Sequence, residues 1–191
     1  MASSSVIAEL RELVPHRAIN PIETAGLAER QATRLLKLTG ITEPPVPEFV
    51  IADLPRIRVE RQAPMPFSGA THWAKGYWLI LLNADEPYVR RRFSLAHEFK
   101  HILDHPYIDR LYPDTPQLSS PDRAEQACDL FAACLLMPRV WVKRAWYGGT
   151  TPVATLAREF AVSQTAMRWR LEQLGIAERT ARHPRYFRTA A

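Results

Sequence analysis

The amino-acid sequence predicts an α+β fold in which a short antiparallel sheet packs on the helix that begins at Pro87, with further helices before and after it. Apolar residues recur at helical spacing over 3–14 and 23–39 and again beyond residue 87, whereas residues 57–83 alternate and turn as strands do. With 191 residues, of which 47% are hydrophobic, the chain is long enough for one core and a small appendage. We therefore expect one sheet packed on helices, followed by a smaller helical segment.

The N-terminal part is predicted to contain two helices, a strand and a hairpin. Gly40 ends the second helix, and the proline-rich stretch TEPPVP follows it as a stiff connector. Ile57 and Val59 alternate with charged residues, which predicts a strand with one wet face. The stretch GATHWAKGYWLILLN predicts a hairpin that turns at Lys75 and Gly76. Because its second arm is apolar on both faces, we expect both faces to be covered.

The C-terminal part is predicted to be helical. Pro87 begins a helix, RRRFSLAHEFKHIL, that Pro106 ends. A proline-rich loop follows, and then RAEQACDLFAACLLMP predicts a strongly apolar helix with the short helix WVKRAWY behind it. The stretch TPVATLAREFAVSQTAMRWRLEQLG predicts two more helices joined by a short turn. We expect one domain over 1–147 and a helix-turn-helix-like segment with a basic, mobile tail over 148–191.

Composition excludes some classes of protein and leaves others open. The chain has no run near the roughly 18 apolar residues of a membrane span, and acidic residues stand where a secretory signal would have its apolar core. We therefore expect a cytoplasmic protein. From Arg139 onward ten basic residues face three acidic ones, which fits either a nucleic-acid or acidic-protein contact or a solvated face. Cys128 and Cys134 match no metal-ligand or redox spacing, so we expect both to be reduced and buried.

One helix carries the motif His97-Glu98-Phe99-Lys100-His101. Residues four apart lie on one helix face, so His97 and His101 could both reach one zinc ion, with Glu98 beside them. The apolar stripe of this helix points the other way, since the two histidines lie about 100–120° around the helix from its nearer edge. The pattern therefore predicts a metal site rather than two core histidines.

A catalytic zinc site needs a third protein ligand and an open position for water. Glu125 is the best candidate, because it lies on the next long helix in an otherwise apolar segment. Asp129, one turn further along, is placed to accept a hydrogen bond from a liganding imidazole. On these residues alone, a solvated acidic stripe on an amphipathic helix remains the alternative.

Three stretches together resemble the ImmA/IrrE family of metallopeptidases, within the Glu-zincin group. RRRFSLAHEFKHILDH resembles the active helix of that family, EQACDLFAACLLMP its glutamate-bearing helix, and AVSQTAMRWRLEQLG its C-terminal helices. The resemblance implies a small zincin-like core. It also implies that His97, His101 and Glu125 are the zinc ligands, that Glu98 is the catalytic residue, and that Asp129 orients a ligand.

The resemblance further implies a zinc-dependent regulatory endopeptidase. Its substrate would be a DNA-binding helix-turn-helix repressor, often encoded beside it, cleaved by a zinc-activated water with Glu98 as general base. The same ligands would also accept Mn²⁺ or Fe²⁺. A peptide would lie extended beside one strand of the hairpin, although the sequence does not say which.

Two positions depart from the family pattern, and two alternatives remain. Lys100 stands where glycine is common and would crowd or tune the metal edge, and Asp129 replaces a common asparagine.

The first alternative is a DNA-binding regulator that uses Arg168 and Arg170 on its last helix. The second is a protein-binding member of the fold without turnover. The group that stabilises the oxyanion is not identified; His72, Tyr107 and Tyr112 are the candidates.

Overall fold

The computed structural model describes residues 5–115 and 118–176, and it has the predicted α+β class. Its strands are β1 (Ile57–Gln62), β2 (Gly69–Ala74) and β3 (Tyr77–Asn83). Its helices are α1 (Val6–Arg11), α2 (Pro21–Thr39), α3 (Phe49–Ala52), α4 (Tyr88–Asp104), α5 (Ile108–Leu111), α6 (Ser120–Leu136), α7 (Arg139–Tyr147), α8 (Val153–Glu159) and α9 (Gln164–Gln173), with a 3₁₀ turn at His105–Tyr107.

The boundaries of the helices follow from their caps. Asn20 and Glu23 form a capping box at the start of α2, and Gly40, with φ at 71°, ends that helix in the left-handed conformation. α1 is shorter than the predicted 3–14: Ser5 caps it and it ends at Arg11, while residues 3 and 4 lie outside the described residues. The proline-rich loop after α4 begins with the short helix α5, which the sequence did not predict.

The sheet has the order β1-β3-β2 and is mixed rather than antiparallel throughout. The hairpin is confirmed, since β2 and β3 pair antiparallel, but β1 pairs parallel with β3. The prediction of an antiparallel sheet was wrong for β1, because alternation identifies a strand without identifying its neighbour. A nearly all-apolar strand such as β3 suits the central position. β2 is consequently the outer arm of the hairpin.

The sheet lies against α4, and α6 packs between α4 and α2. Ile80 and Leu82 of β3 are fully buried on the inner face, where they join the core with Phe99 of α4 and Phe131 of α6. Leu79 and Leu81 on the outer face of β3 are only partly buried by the described residues. The expectation that both faces of β3 are covered therefore holds for the inner face alone.

The two C-terminal helices share the main core and are tied to α4. Phe160 and Met167 are fully buried in the same apolar cluster as α4. Arg92 of α4 is itself buried and donates hydrogen bonds to the carbonyl oxygens of Phe160 (3.1 Å), Ala161 and Val46. The predicted mobile tail from residue 177 lies outside the described residues. Over 5–115 and 118–176, no helix combines the length and the apolar character that crossing a membrane requires.

Candidate metal centre

Three predicted ligands meet where α4 packs on α6. His97 and His101 lie one turn apart on α4, and their Nε2 atoms are 3.1 Å apart. Glu125 of α6 spans the pair: its Oε2 lies 3.3 Å from His97 Nε2, and its Oε1 lies 3.2 Å from His101 Nε2. The packing of two helices thus brings two imidazoles and one carboxylate together.

This spacing fits zinc. Nitrogen and oxygen ligands bind zinc at about 2.0–2.2 Å, so in a tetrahedral site their atoms lie roughly 3.3–3.6 Å from one another. The three observed separations of 3.1–3.3 Å are close to the lower end of that range. The two histidines lie mostly below the surface, whereas the side chain of Glu125 is 39% exposed. The cluster therefore opens to solvent on the Glu125 side. Two imidazoles, one carboxylate and an open side form the donor set of a catalytic rather than a structural zinc site.

Asp129 contacts the ring nitrogen of His97 that does not face Glu125. It lies one turn after Glu125, and its Oδ1 accepts a hydrogen bond of 2.9 Å from His97 Nδ1. This bond leaves His97 Nε2 directed at Glu125, the orientation that a metal ligand needs. Glu125 and Asp129 lie one turn apart on α6, where two carboxylates would repel each other on a solvated helix. Here each carboxylate bonds to a different nitrogen of the His97 ring, which explains why both are present.

The charges of the cluster follow from burial and from these contacts. Burial lowers the pKa of His97, but the hydrogen bonds with Asp129 and Glu125 outweigh it and raise the pKa to about 9. Burial raises the pKa of the Glu125 carboxyl, but its bonds to both imidazoles outweigh burial and bring the pKa below its ordinary value. The two imidazoles therefore face an ionised carboxylate, and a divalent cation would replace the proton held between them.

Glu98 lies beside the cluster, under the first residue of β2. It is 4% exposed, and burial raises the pKa of its carboxyl. A Cβ placed on Gly69 would lie 3.0 Å from Glu98 Cγ and 3.1 Å from Oε1, so only glycine leaves this carboxyl its room. Gly69 was missed at the sequence level. A glycine at the start of a strand was the available signal, since it often marks close approach of another group.

Cys128 is a further member of the cluster that the sequence did not predict. It is free and fully buried, as expected, but its Sγ and ring nitrogens of His97 and His101 all lie within 4.8 Å of one another. Burial raises the pKa of this thiol well above its usual value, and the Asp104 carboxylate acts in the same direction. Ligands contributed by two helices have no characteristic spacing in the sequence, which is why the motif gave no sign of Cys128.

Lys100 turns into the core instead of toward the metal edge. Its side chain is fully buried, and Nζ donates hydrogen bonds to Asp104 Oδ1 (2.6 Å) and to Gln31 Oε1 of α2 (2.8 Å). The hydroxyl of Tyr112 donates to the same carboxylate of Asp104. Tyr112 is thus engaged away from the three ligands, while His72 lies exposed on the hairpin.

The last helix presents less basic surface than its sequence suggests. Arg168 is exposed, but Arg170 is 3% exposed and its Nε donates a hydrogen bond of 3.0 Å to the carbonyl oxygen of Met137. One of the two arginines proposed to contact DNA is therefore used inside the protein.

Comparisons with known proteins identify the family domain and a similar fold. A sequence profile of the IrrE N-terminal-like domain matches residues 55–172, which include α4, α6 and the whole sheet. A solved structure of a Mycobacterium tuberculosis transcriptional regulator is similar over 95% of this chain and 54% of its own, with a TM-score of 0.59 and 19% sequence identity. That likeness shows the fold, and the chain spans about half the length of that protein. A search of curated proteins gave no match.

Proposed function

Because the chain belongs to the ImmA/IrrE family, whose IrrE N-terminal-like domain covers well over half of it, we propose that it is a zinc-dependent metallo-endopeptidase. The observation that carries this proposal is the cluster of His97, His101 and Glu125, with ligand-to-ligand distances of 3.1–3.3 Å. Glu98 lies beside that cluster and is the proposed catalytic residue. Asp129 is the proposed partner that orients His97.

Bound zinc would polarise the carbonyl of a scissile peptide. It would also lower the pKa of a water molecule, so that the water can lose a proton and attack that carbonyl. Glu98 is the base in this scheme, since burial raises the pKa of its carboxyl and so makes it a stronger proton acceptor. It takes a proton from the attacking water and later passes it to the leaving amine. Gly69 and the low exposure of Glu98 keep this carboxyl in one place.

The substrate is proposed to lie along β2. Among the described residues, β2 pairs only with β3, so its other edge keeps free backbone groups for an extended peptide. β2 also begins at Gly69, directly above Glu98, so a peptide added at this edge would pass the proposed base. Pairing through the main chain holds a peptide without reading all of its side chains.

The substrate class follows from the family, in which such peptidases regulate transcription. We propose a DNA-binding helix-turn-helix repressor encoded nearby, cleaved in the cytoplasm, with Zn²⁺ as the metal and Mn²⁺ or Fe²⁺ as substitutes. The DNA-binding alternative has weaker support, since Arg170 is buried and bonded to the carbonyl of Met137. A binding module without turnover would have no need of the buried Glu98 beside an intact ligand cluster.

The test compares wild type with Glu98→Gln on the repressor encoded beside this protein. The zinc-loaded wild type should produce discrete fragments that a chelator abolishes, while Glu98→Gln should keep its zinc and its fold but cleave nothing. Glu60→Gln, on the exposed side of β1, makes the same chemical change away from the cluster and should cleave normally. Undiminished cleavage by Glu98→Gln would refute the assignment of the base.

A further inference from the structure

We propose that the thiolate of Cys128 is a fourth protein ligand of this metal centre, which closes the site to His97, His101, Glu125 and Cys128 in a resting form. This inference rests on the metal centre of the proposed function. It adds a ligand and a closed state that the peptidase mechanism does not require.

Proximity supports this ligand. Cys128 Sγ and ring nitrogens of both histidines lie within 4.8 Å of one another. A thiolate about 2.3 Å from zinc lies roughly 3.6 Å from imidazole nitrogens bound at about 2.0 Å. The separations exceed that spacing by at most about 1.2 Å, so coordination requires the sulfur and the imidazole nitrogens to approach one another by no more than that. Cys128 follows Glu125 by three residues, so the two side chains lie about 60° apart on one side of α6, and Glu125 contacts both histidines.

The surroundings of the thiol determine what its coordination requires. Cys128 is fully buried, and the buried ammonium of Lys100 lies near enough for its charge to favour the anionic sulfur. Burial and Asp104 act against a free thiolate, so the anion is expected only when a cation is present to pair with it. On coordination the S–H bond breaks, the proton passes to water, and the sulfur electron pair binds the metal. The reverse reaction reopens the site.

Two consequences follow for the centre. Four protein ligands leave no position for water, so the closed form is inactive and must lose the Cys128 bond before catalysis. A thiolate is also a soft ligand, which favours zinc over manganese. Cys128 would therefore narrow the choice of metal that two imidazoles and a carboxylate leave open.

Cys134 provides a matched control on the same helix. It is also buried and free, but its electrostatic neighbours are Arg170, Glu29 and Arg139 rather than the histidines. Replacing either cysteine by alanine makes the same chemical change in α6, and only one of the two changes removes the proposed ligand.

The experiment is cobalt substitution of the purified full chain. Co²⁺ bound to the wild type should show the near-ultraviolet sulfur-to-metal charge-transfer band of a thiolate ligand. Cys134→Ala should keep the band. Cys128→Ala should lose it while still binding one cobalt ion, and its zinc affinity, measured by chelator competition, should fall by at least about tenfold.

The outcomes separate this inference from the proposed function. Wild type that binds cobalt without the sulfur band would overturn the Cys128 ligand and leave the peptidase proposal intact. Wild type that binds no metal at all would overturn both. If Cys128→Ala fails to fold by circular dichroism, the wild-type spectrum still decides, and Cys128→Ser serves as the second variant.

Discussion

Lys100→Met is expected to destabilise the fold and to leave the three ligands His97, His101 and Glu125 in place. The ammonium of Lys100 is fully buried, and its partners are Asp104 Oδ1 at 2.6 Å and Gln31 Oε1 at 2.8 Å. Methionine has a similar volume, so the change removes a charge and two hydrogen bonds while leaving little empty space. It leaves the Asp104 carboxylate buried without its ammonium partner, although the hydroxyl of Tyr112 still donates a hydrogen bond to it.

The expected cost is large for a single substitution. Breaking a buried ion pair by removing one partner typically costs about 3–5 kcal/mol, because the other charge is left unpaired. In a protein of this length each kcal/mol shifts Tm by about 2–4 °C, so Lys100→Met should lower Tm by roughly 6–20 °C. Lys100→Met/Asp104→Asn also removes the unpaired charge, and it should recover at least about 1 kcal/mol relative to the single variant.

Urea unfolding of the metal-free proteins measures these free energies, and chelator competition measures zinc affinity. In a Cys128→Ala background, the proteins with Lys100 and with Lys100→Met should bind zinc equally, since the Lys100 side chain points away from His97, His101 and Glu125. The reasoning fails if Lys100→Met loses less than about 1 kcal/mol, as an exposed pair would. It fails equally if, in the Cys128→Ala background, zinc affinity drops while stability is retained, because Lys100 would then act on the three ligands themselves.

Three further substitutions test other parts of the site. Gly69→Ala places a methyl group 3.0 Å from Glu98 Cγ. Displacing Glu98 by about an ångström should lower kcat/KM by about 10²-fold while zinc stays bound. Ala70→Ser, on the opposite face of β2, should leave kcat/KM unchanged. Asp129→Ala should weaken zinc binding about 10–100-fold in chelator competition, and unchanged affinity would contradict its orienting role. Arg92→Met should cost at least about 2 kcal/mol in urea unfolding, and a smaller loss would show that its three carbonyl contacts are weak.

The parts of the fold that follow from local patterns could be predicted from the sequence. Caps, prolines and helical periodicity located α2, α4 and α6, and the turn at Lys75 and Gly76 located the hairpin. The face of α4 that carries His97 and His101 followed from counting residues around one helix. Glu125 needed a second argument, since a glutamate on an amphipathic helix is ordinarily solvated.

The parts that depend on contacts between distant segments could not be predicted. The parallel pairing of β1 with β3 is a choice of neighbour, which alternation does not encode. Cys128 joins the histidines only because α6 packs on α4. Lys100 was expected at the metal edge from its angle on the helix, but a four-carbon side chain can turn either way, and Asp104 and Gln31 decided its direction.

The environment of α4 explains why the segment before residue 55 matters to a centre whose ligands all lie after it. Arg11 of α1 donates hydrogen bonds to the carbonyl oxygens of Ile102 (2.7 Å) and Leu103 (3.2 Å) in the last turn of α4, and Gln31 of α2 accepts one from Lys100. Both partners lie outside the matched domain, which begins at residue 55. A helix that must hold two imidazoles 3.1 Å apart cannot fray at the turn that follows His101. The N-terminal helices are therefore part of the structure that keeps the ligands in position, because they bind the last turn of α4.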